Sequence, residues 1–468
     1  MSVGPKRKAM DGTEDILSDL PRNVIDCILD SMPLRDAART SILSSKWRYI
    51  WMENPQLVLD NLFYEETIKK KHYTKDKFES IVNKILLLHT HRFSILKFVL
   101  YIPNIYADES PDFDHSILVL SRSIKELTFD NENSHPYKLP SGIFSCPELT
   151  YLKLHNCIIK PPHTMKCFRN LISLHFKEIS FSTNILGTLF SSAPLLEKLY
   201  LISCTGIDHF NIRARELQLL FISCISGFKS IVFRNTLNLT NVTIAPQYKV
   251  NNPQWVKTTN LIELVGSLPR VEALQLDGFL LKVLAAVTVT KRLPTVKHWM
   301  YLTLHNKNFN DLDQISCTLC LLKSVTNLWS LEIKAYAPKE ETVVEPISNF
   351  LEEPDCMDLK QNTLRIVKIS LHKYCWRAGL IFMKFLLAHC LLLEKMYVKH
   401  EVIDVSEGFR ISKELMQYPR ASPKAELMFE ESIVSYFLLQ SITGNANVKK
   451  TSVITSSKAI QETRNLGD

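Results

Sequence analysis

The chain has 468 residues, 46% apolar and 22% charged, with 56 lysines and arginines against 48 aspartates and glutamates for a net charge of +8. That composition excludes a disordered or membrane-dominated chain, and the length favours several domains or a repeat array that grows lengthwise. Only 12 glycines are present, where average usage would give roughly 33; with no GxGxxG, GxxxxGK[ST] or GxSxG, phosphate-cradling loops and nucleophile elbows have no residues to stand on.

The basic excess is spread along the chain and reads as a solvated surface. Lys69-Lys70-Lys71 has no interleaved aromatic platform of the kind that binds nucleic acid. Eleven cysteines scattered from Cys27 to Cys390 lack the dense spacing of a secreted scaffold and fit a reducing, intracellular compartment. Residues 1–14 form a polar tail without an apolar signal core. Its Pro5-Lys6-Arg7-Lys8 cluster is of the type read by nuclear import, so the expected location is cytoplasmic, nuclear or both.

Residues 15–55 read as three short helices. Val24, Ile25, Ile28 and Leu29 share one face of a helix begun near Pro21 and stopped before Pro33. Asp36 is expected to cap a second helix running through Ile42, and a third covers 44–51 with Trp47 and Trp51 on one side. The run LPRNVIDCILDSMPLRDAARTSILSSKWRYIW resembles an F-box, in the form found in the large plant family of F-box proteins that also carry leucine-rich repeats and an FBD segment. The resemblance implies docking on a Skp-type adaptor and, through it, on cullin and RING subunits of a ubiquitin ligase. A helical trio of this size should not bury its own apolar faces. The expected adaptor surface is therefore Leu20, Pro21, Val24, Ile25, Ile28, Leu29, Leu34, Leu43, Trp47 and Trp51.

Residues 56–95 read as a basic, mostly helical linker whose apolar side is Phe78, Ile81, Val82, Ile85, Leu86 and Leu88. Over 96–361 a repeat emerges. The template Leu-x-x-Leu-x-Leu-x-x-Asn/Cys is met at Leu149, Leu152, Leu154 and Cys157 and at Leu196, Leu199, Leu201 and Cys204, with looser copies from Ile124 to Val398. One such unit cannot bury its apolar strand alone, so the expected fold is α/β: a leucine-rich-repeat horseshoe with a parallel sheet on its concave side. Residues 362–430, with NTLRIVKISLHKYCWRAGLIFMKFLLAHCLLLEKMYV and YPRASPKAELMF, resemble the FBD segment of the same family. They read as a strand, a buried helix and a last strand at 393–399 that cap the array. The 431–468 tail reads as partly disordered.

No chemistry of catalysis emerges. Cys317 and Cys320 form a lone CxxC among leucines, without a second pair at zinc spacing. His89 and His91 lack a third ligand and read as a solvated helix end. No enzyme, metal or cofactor is expected, and the resemblance implies a receptor that positions a target for ubiquitin transfer by other subunits. An adaptor acting without degradation and a basic nucleic-acid-associated scaffold are the alternatives. Strand alternation points template positions 3, 5 and 7 to the concave face. There Tyr151, Lys153, Lys177, Lys198, Tyr200, Ile202, Leu219 and Phe221 are expected to form an apolar target-binding patch with a basic rim suited to an acidic or phosphorylated segment. His155, Arg234, Asp130 and Asp277 fall on the same expected register. A one-residue slip near Leu217 would instead send Leu219 and Phe221 inward.

Overall fold

The computed structural model describes residues 17–430 except 18, 46, 72–73, 91–93, 106–112, 114–119, 121–122, 161–167, 182–185, 208, 224–229, 246–260, 289–292, 337–343, 358, 360, 373 and 401–404. The basic cluster at 5–8, His91 and the 431–468 tail lie outside the described residues.

Three short helices open the chain: α1 (Arg22–Asp30), α2 (Leu34–Arg39) and α3 (Trp47–Ile50). Pro21 and Pro33 stand at the N-caps of α1 and α2, where their missing N–H groups cost nothing. Asp36 thus lies in the first turn of α2 and is not its cap, and the segment Thr40–Ile42 is a separate 3-10 turn. Ile25 and Leu29, four apart on α1, meet Ala37 and Trp47 in a core in which each is at most 4% exposed. The trio therefore does bury an apolar face of its own, contrary to the sequence expectation; the large indole of Trp47 fills the space between α1 and α2.

Behind it stands one sheet of fourteen strands, every neighbouring pair parallel and the spatial order identical to chain order. The strands are β1 (Gln56–Leu59), β2 (Lys97–Ile102), β3 (Glu126–Asn131), β4 (Tyr151–His155), β5 (Ser173–Lys177), β6 (Lys198–Ile202) and β7 (Leu219–Ser223). They continue as β8 (Asn241–Ile244), β9 (Ala273–Asp277), β10 (Tyr301–Lys307), β11 (Ser330–Ala335), β12 (Ile366–Leu371), β13 (Lys395–His400) and β14 (Glu426–Glu430). Leu127, Leu152, Leu174, Leu199, Leu220 and Val242 pair in register and are all buried. The same row runs on through Leu274, Leu302, Leu331, Val367 and Met396. Each strand must shed one apolar face, and only the neighbouring repeats can cover it, which is why the array forms one continuous core.

The period lengthens after Val242 because the return path changes. Early repeats come back through short extended pieces such as Cys157–Ile159 and Ser180–Phe181, whereas later ones return through the helices Gly278–Thr288, Leu312–Ser324 and Trp376–His389. A helix rises ~1.5 Å per residue against ~3.3 Å for a strand, so a helical return consumes more sequence per turn. The sheet also begins earlier than the repeat template suggests: β1 lies in the stretch expected to be linker. The following helix α4 (Lys75–Thr90) buries Phe78, Val82 and Leu86 against the core, while Leu88 is exposed. At the other end the FBD-like stretch supplies β12, the helix Trp376–His389 and β13, then adds β14 beyond the strand expected to be last.

Candidate functional site

Two surfaces carry the candidate residues. On the helical module, burial divides the expected adaptor set. Ile25, Leu29 and Trp47 are interior, so they shape the module and do not present a free surface. Leu20 and Trp51 pack half-buried against that small core and Leu34 against the large one, while Ile28 is half-buried. Trp51 also meets His89 of α4 edge-on, with ring centroids 5.3 Å apart. His89 is itself 1% exposed with Nδ1 bonded to Ile85 O at 2.9 Å, not at a solvated helix end; burial holds its pKa below the ordinary value. Asp30 ties the module to the sheet by accepting from Asn54 Nδ2 at 3.0 Å and from Gln56 Nε2 at 3.1 Å.

What remains outward is Pro21, Val24 and Leu43, together with residues that sequence reading passed over: Ile42, 86% exposed, and Tyr49. Ile42 sits in the 3-10 turn, where helical periodicity carries no information. Its signal was instead an apolar pair, Ile42-Leu43, between two helices whose inward positions were already filled.

The second surface is the open face of the sheet. Alternation holds through β7: Leu220 and Ile222 are buried, Leu219 and Phe221 are half-exposed, and Phe221 pairs with Tyr200 and Leu219 with Lys198. No register slip occurs. Tyr151, His175, Tyr200 and Phe221 form a ladder across four adjacent strands, with successive ring centroids 5.1, 4.1 and 6.1 Å apart and His175 stacked on Tyr200 at 13°. Burial, reinforced by Lys153 and Lys198, lowers the His175 pKa to about 4, so at neutral pH the imidazole is uncharged and stacks as an aromatic. Lys153, Lys177 and Lys198 border the ladder, and Ile202 extends its apolar area.

Three expected face residues are not presented there: one lies in another sheet and two are covered at the ends of their strands. Arg234 belongs to the strand Ser230–Arg234, which pairs with His209–Arg213 in a separate two-stranded sheet. His155 is buried, with Nδ1 2.6 Å from Asp130 and Nε2 3.4 Å from Glu178. Burial opposes its charged form, yet the hydrogen bond and nearby carboxylates leave its pKa raised. Asp277 is buried too, accepting from Asn306 Nδ2 at 2.7 Å and Phe279 N at 2.8 Å; burial lifts its pKa to about 6. Asp130 does line the face, as expected.

Cys157, Cys204 and Cys317 are buried in the repeat core. Cys157 donates to His155 O at 3.2 Å, and Cys204 to Phe176 O and Ile202 O, both at 3.5 Å. Burial pushes the Cys204 and Cys317 thiols up to about 12, far from a reactive thiolate. Among the described residues no helix is long and apolar enough to cross a membrane.

Comparison with known proteins matches both regions of the chain to one family. Residues 17–57 match the F-box domain model, and residues 117–333 match the model for the repeats of FBD-associated F-box protein At5g56370. The chain is 31% identical over 427 residues to F-box/FBD/LRR-repeat protein At1g13570 of Arabidopsis thaliana, covering 90% of this chain and 99% of that one. It is 24% identical to the putative FBD-associated F-box protein At5g53635 of the same plant, over 88% of this chain and all of the relative. The chain belongs to the plant F-box/FBD/LRR-repeat family.

Proposed function

We propose that this protein is the substrate-recognition subunit of a Skp-cullin-F-box ubiquitin ligase: the helical module docks a Skp-type adaptor, and the open sheet face holds a target protein for modification. The protein itself supplies no catalytic group; it contributes proximity and orientation. The observation that carries the adaptor half is the Ile42-Leu43 pair, 86% and 53% exposed on a module that has already closed its own core. Large apolar side chains left outward beside a filled core are what a partner would cover. The joint through Leu34, Trp51 and Asp30 holds the module against the sheet, so an adaptor-bound complex would present the target in a set direction.

Ile42→Asp with Leu43→Asp should weaken binding of a purified Skp-type adaptor by about 3 kcal/mol, more than a hundredfold, because central apolar anchors carry most of an interface's energy. The melting temperature should stay within a degree or two, since both side chains are exposed. Titration calorimetry with full-length protein checks this, and unchanged affinity would remove the docking role from this surface.

For the target half, Tyr200→Ala with Phe221→Ala should abolish target capture and leave adaptor affinity as it is. Both rings are half-exposed on the open face, so the melting temperature should fall only slightly. A large drop in melting would show that the ladder serves the core, not a ligand.

A further inference from the structure

The open face carries an excess of carboxylates at its N-terminal end and an excess of lysines over β11 to β13. On the N-terminal side of the aromatic ladder, β1, β2 and β3 border a cleft of about 430 Å³ whose walls carry Asp60, Tyr101, Asp130 and Glu132, with Lys153 on the ladder side. The hydrogen bond from His155 holds Asp130 below the ordinary carboxylate range, so that group is charged at neutral pH. On the other side of the ladder, three strands offer the uncharged Thr243, Gln275 and Thr303, β11 carries Glu332 with Lys334 Nζ 3.2 Å from its carboxylate, and Lys368, Lys395 and Lys399 follow on β12 and β13, with Glu426 beside Lys395 at the edge strand. The central positions Thr128, Lys153, His175, Tyr200, Phe221, Thr243 and onward through Glu332 to Lys368 pair one to one from strand to strand, so the rings and Lys368 lie on one line across the sheet, with Asp130 two residues along β3 from that line and Lys395 and Lys399 on either side of it on β13.

We propose that this line docks an extended segment of the target protein, running across the strands, with three recognition points in fixed order. A lysine or arginine enters the acidic cleft, a large aliphatic or aromatic side chain lies on Tyr200 and Phe221, and a pair of acidic side chains meets Lys368 and Lys395. The inference rests on the reading that the open face captures the target. It goes beyond that reading by giving the segment a charge order and a spacing. Strands lie about 4.8 Å apart, so the three steps from β3 to β6 cover roughly 14 Å and the six from β6 to β12 roughly 29 Å. At about 3.4 Å per extended residue, the basic residue sits about four positions from the anchor and the acidic pair about eight or nine positions on the other side. A nucleic acid does not fit this charge pattern, because its phosphates would be repelled by Asp60, Asp130 and Glu132.

The test uses the full-length chain and two fluorescent synthetic peptides in a Gly/Ser background. One carries Arg, Leu and Glu-Glu at the derived spacing; the other has the Arg and the Glu pair exchanged, which misplaces both charges whichever way the backbone runs. Anisotropy at moderate salt should show the first binding at least tenfold tighter. Asp130→Asn with Glu132→Gln should erase that preference. So should Glu132→Lys, which alters a half-exposed side chain and leaves the Asp130–His155 pair in place. Tyr200→Ala with Phe221→Ala should abolish binding of both peptides. Equal binding of the two peptides, still dependent on the ladder, would overturn the charge order and leave the face as the target site. No binding of either peptide, in a chain whose target capture in cells still fails with Tyr200→Ala and Phe221→Ala, would also overturn it. Loss of neither peptide in the ladder variant would overturn both readings, and displacement by a single-stranded oligonucleotide would assign the face to nucleic acid.

Discussion

Leu152→Asp is expected to remove most of the soluble protein. Leu152 is 1% exposed and sits between Leu127 and Leu174 in the continuous row of buried residues that joins the repeats. The change deletes a packed leucine, worth about 2–5 kcal/mol, and forces a carboxylate either to ionise among aliphatic groups or to bind a proton at neutral pH. Because each repeat is completed by its neighbours, damage at this position spreads to both sides, and the sum exceeds the ~5–15 kcal/mol margin of many folded chains only when the units unfold together. Soluble yield and circular dichroism check the outcome. A soluble variant melting like the parent would place Leu152 outside the core.

The second large effect has the opposite sign. Lys307, at the end of β10, is fully buried beside Phe309, and its Nζ has no hydrogen-bond partner among the described residues. Burial pushes its pKa down from 10.5 to about 7. In the unfolded chain the amine keeps its proton up to about pH 10.5, so between pH 7 and 10.5 the unfolded state binds more protons and stability rises with pH; below pH 7 the penalty is full. Lys307→Met keeps the length and removes the ammonium. At pH 7 it should stabilise the protein by about 4 kcal/mol, with the gap to the parent closing toward pH 10. Chemical denaturation of both proteins at pH 6, 7, 8.5 and 10 reads the difference. A variant less stable at every pH would mean that Lys307 has a compensating contact.

Much of this architecture was legible in the sequence because the leucine template reports both strand and burial at once. Leu152, Leu174, Leu199 and Leu220 fixed the register well enough to put Tyr200 and Phe221 outward, and the structure puts them there. Legibility failed where a strand lacked the template. Gln56–Leu59 is four residues long with a single leucine pair, too little to distinguish from a linker, although Leu57 and Leu59 are wholly buried. β14 was hidden likewise, since its alternating residues Leu427 and Phe429 lie at an edge and are only half-buried. In the F-box, apolar pattern alone could not separate residues that close the module's own core from residues left for a partner. Ile25, Leu29 and Trp47 went inward, and Ile42 proved to be the most exposed large apolar residue there. Arg234 and Asp277 departed from the face for local reasons: a side sheet captured one, and hydrogen bonds from Asn306 and Phe279 drew in the other.

If the F-box serves the ligase and the sheet face the target, the two surfaces of this chain can be disabled one at a time. Affinity purification from plant extract under proteasome inhibition, with quantitation of Skp-type adaptor and of ubiquitin-modified partners, tests it most directly in three forms: the parent, Ile42→Asp with Leu43→Asp, and Tyr200→Ala with Phe221→Ala. The first variant should lose the adaptor and keep partners without their ubiquitin, while the second should keep the adaptor and lose the partners. Loss of both together by either variant, still folded, or retention of ubiquitin-modified partners at parental levels by both, would show that the chain does not carry two separate surfaces.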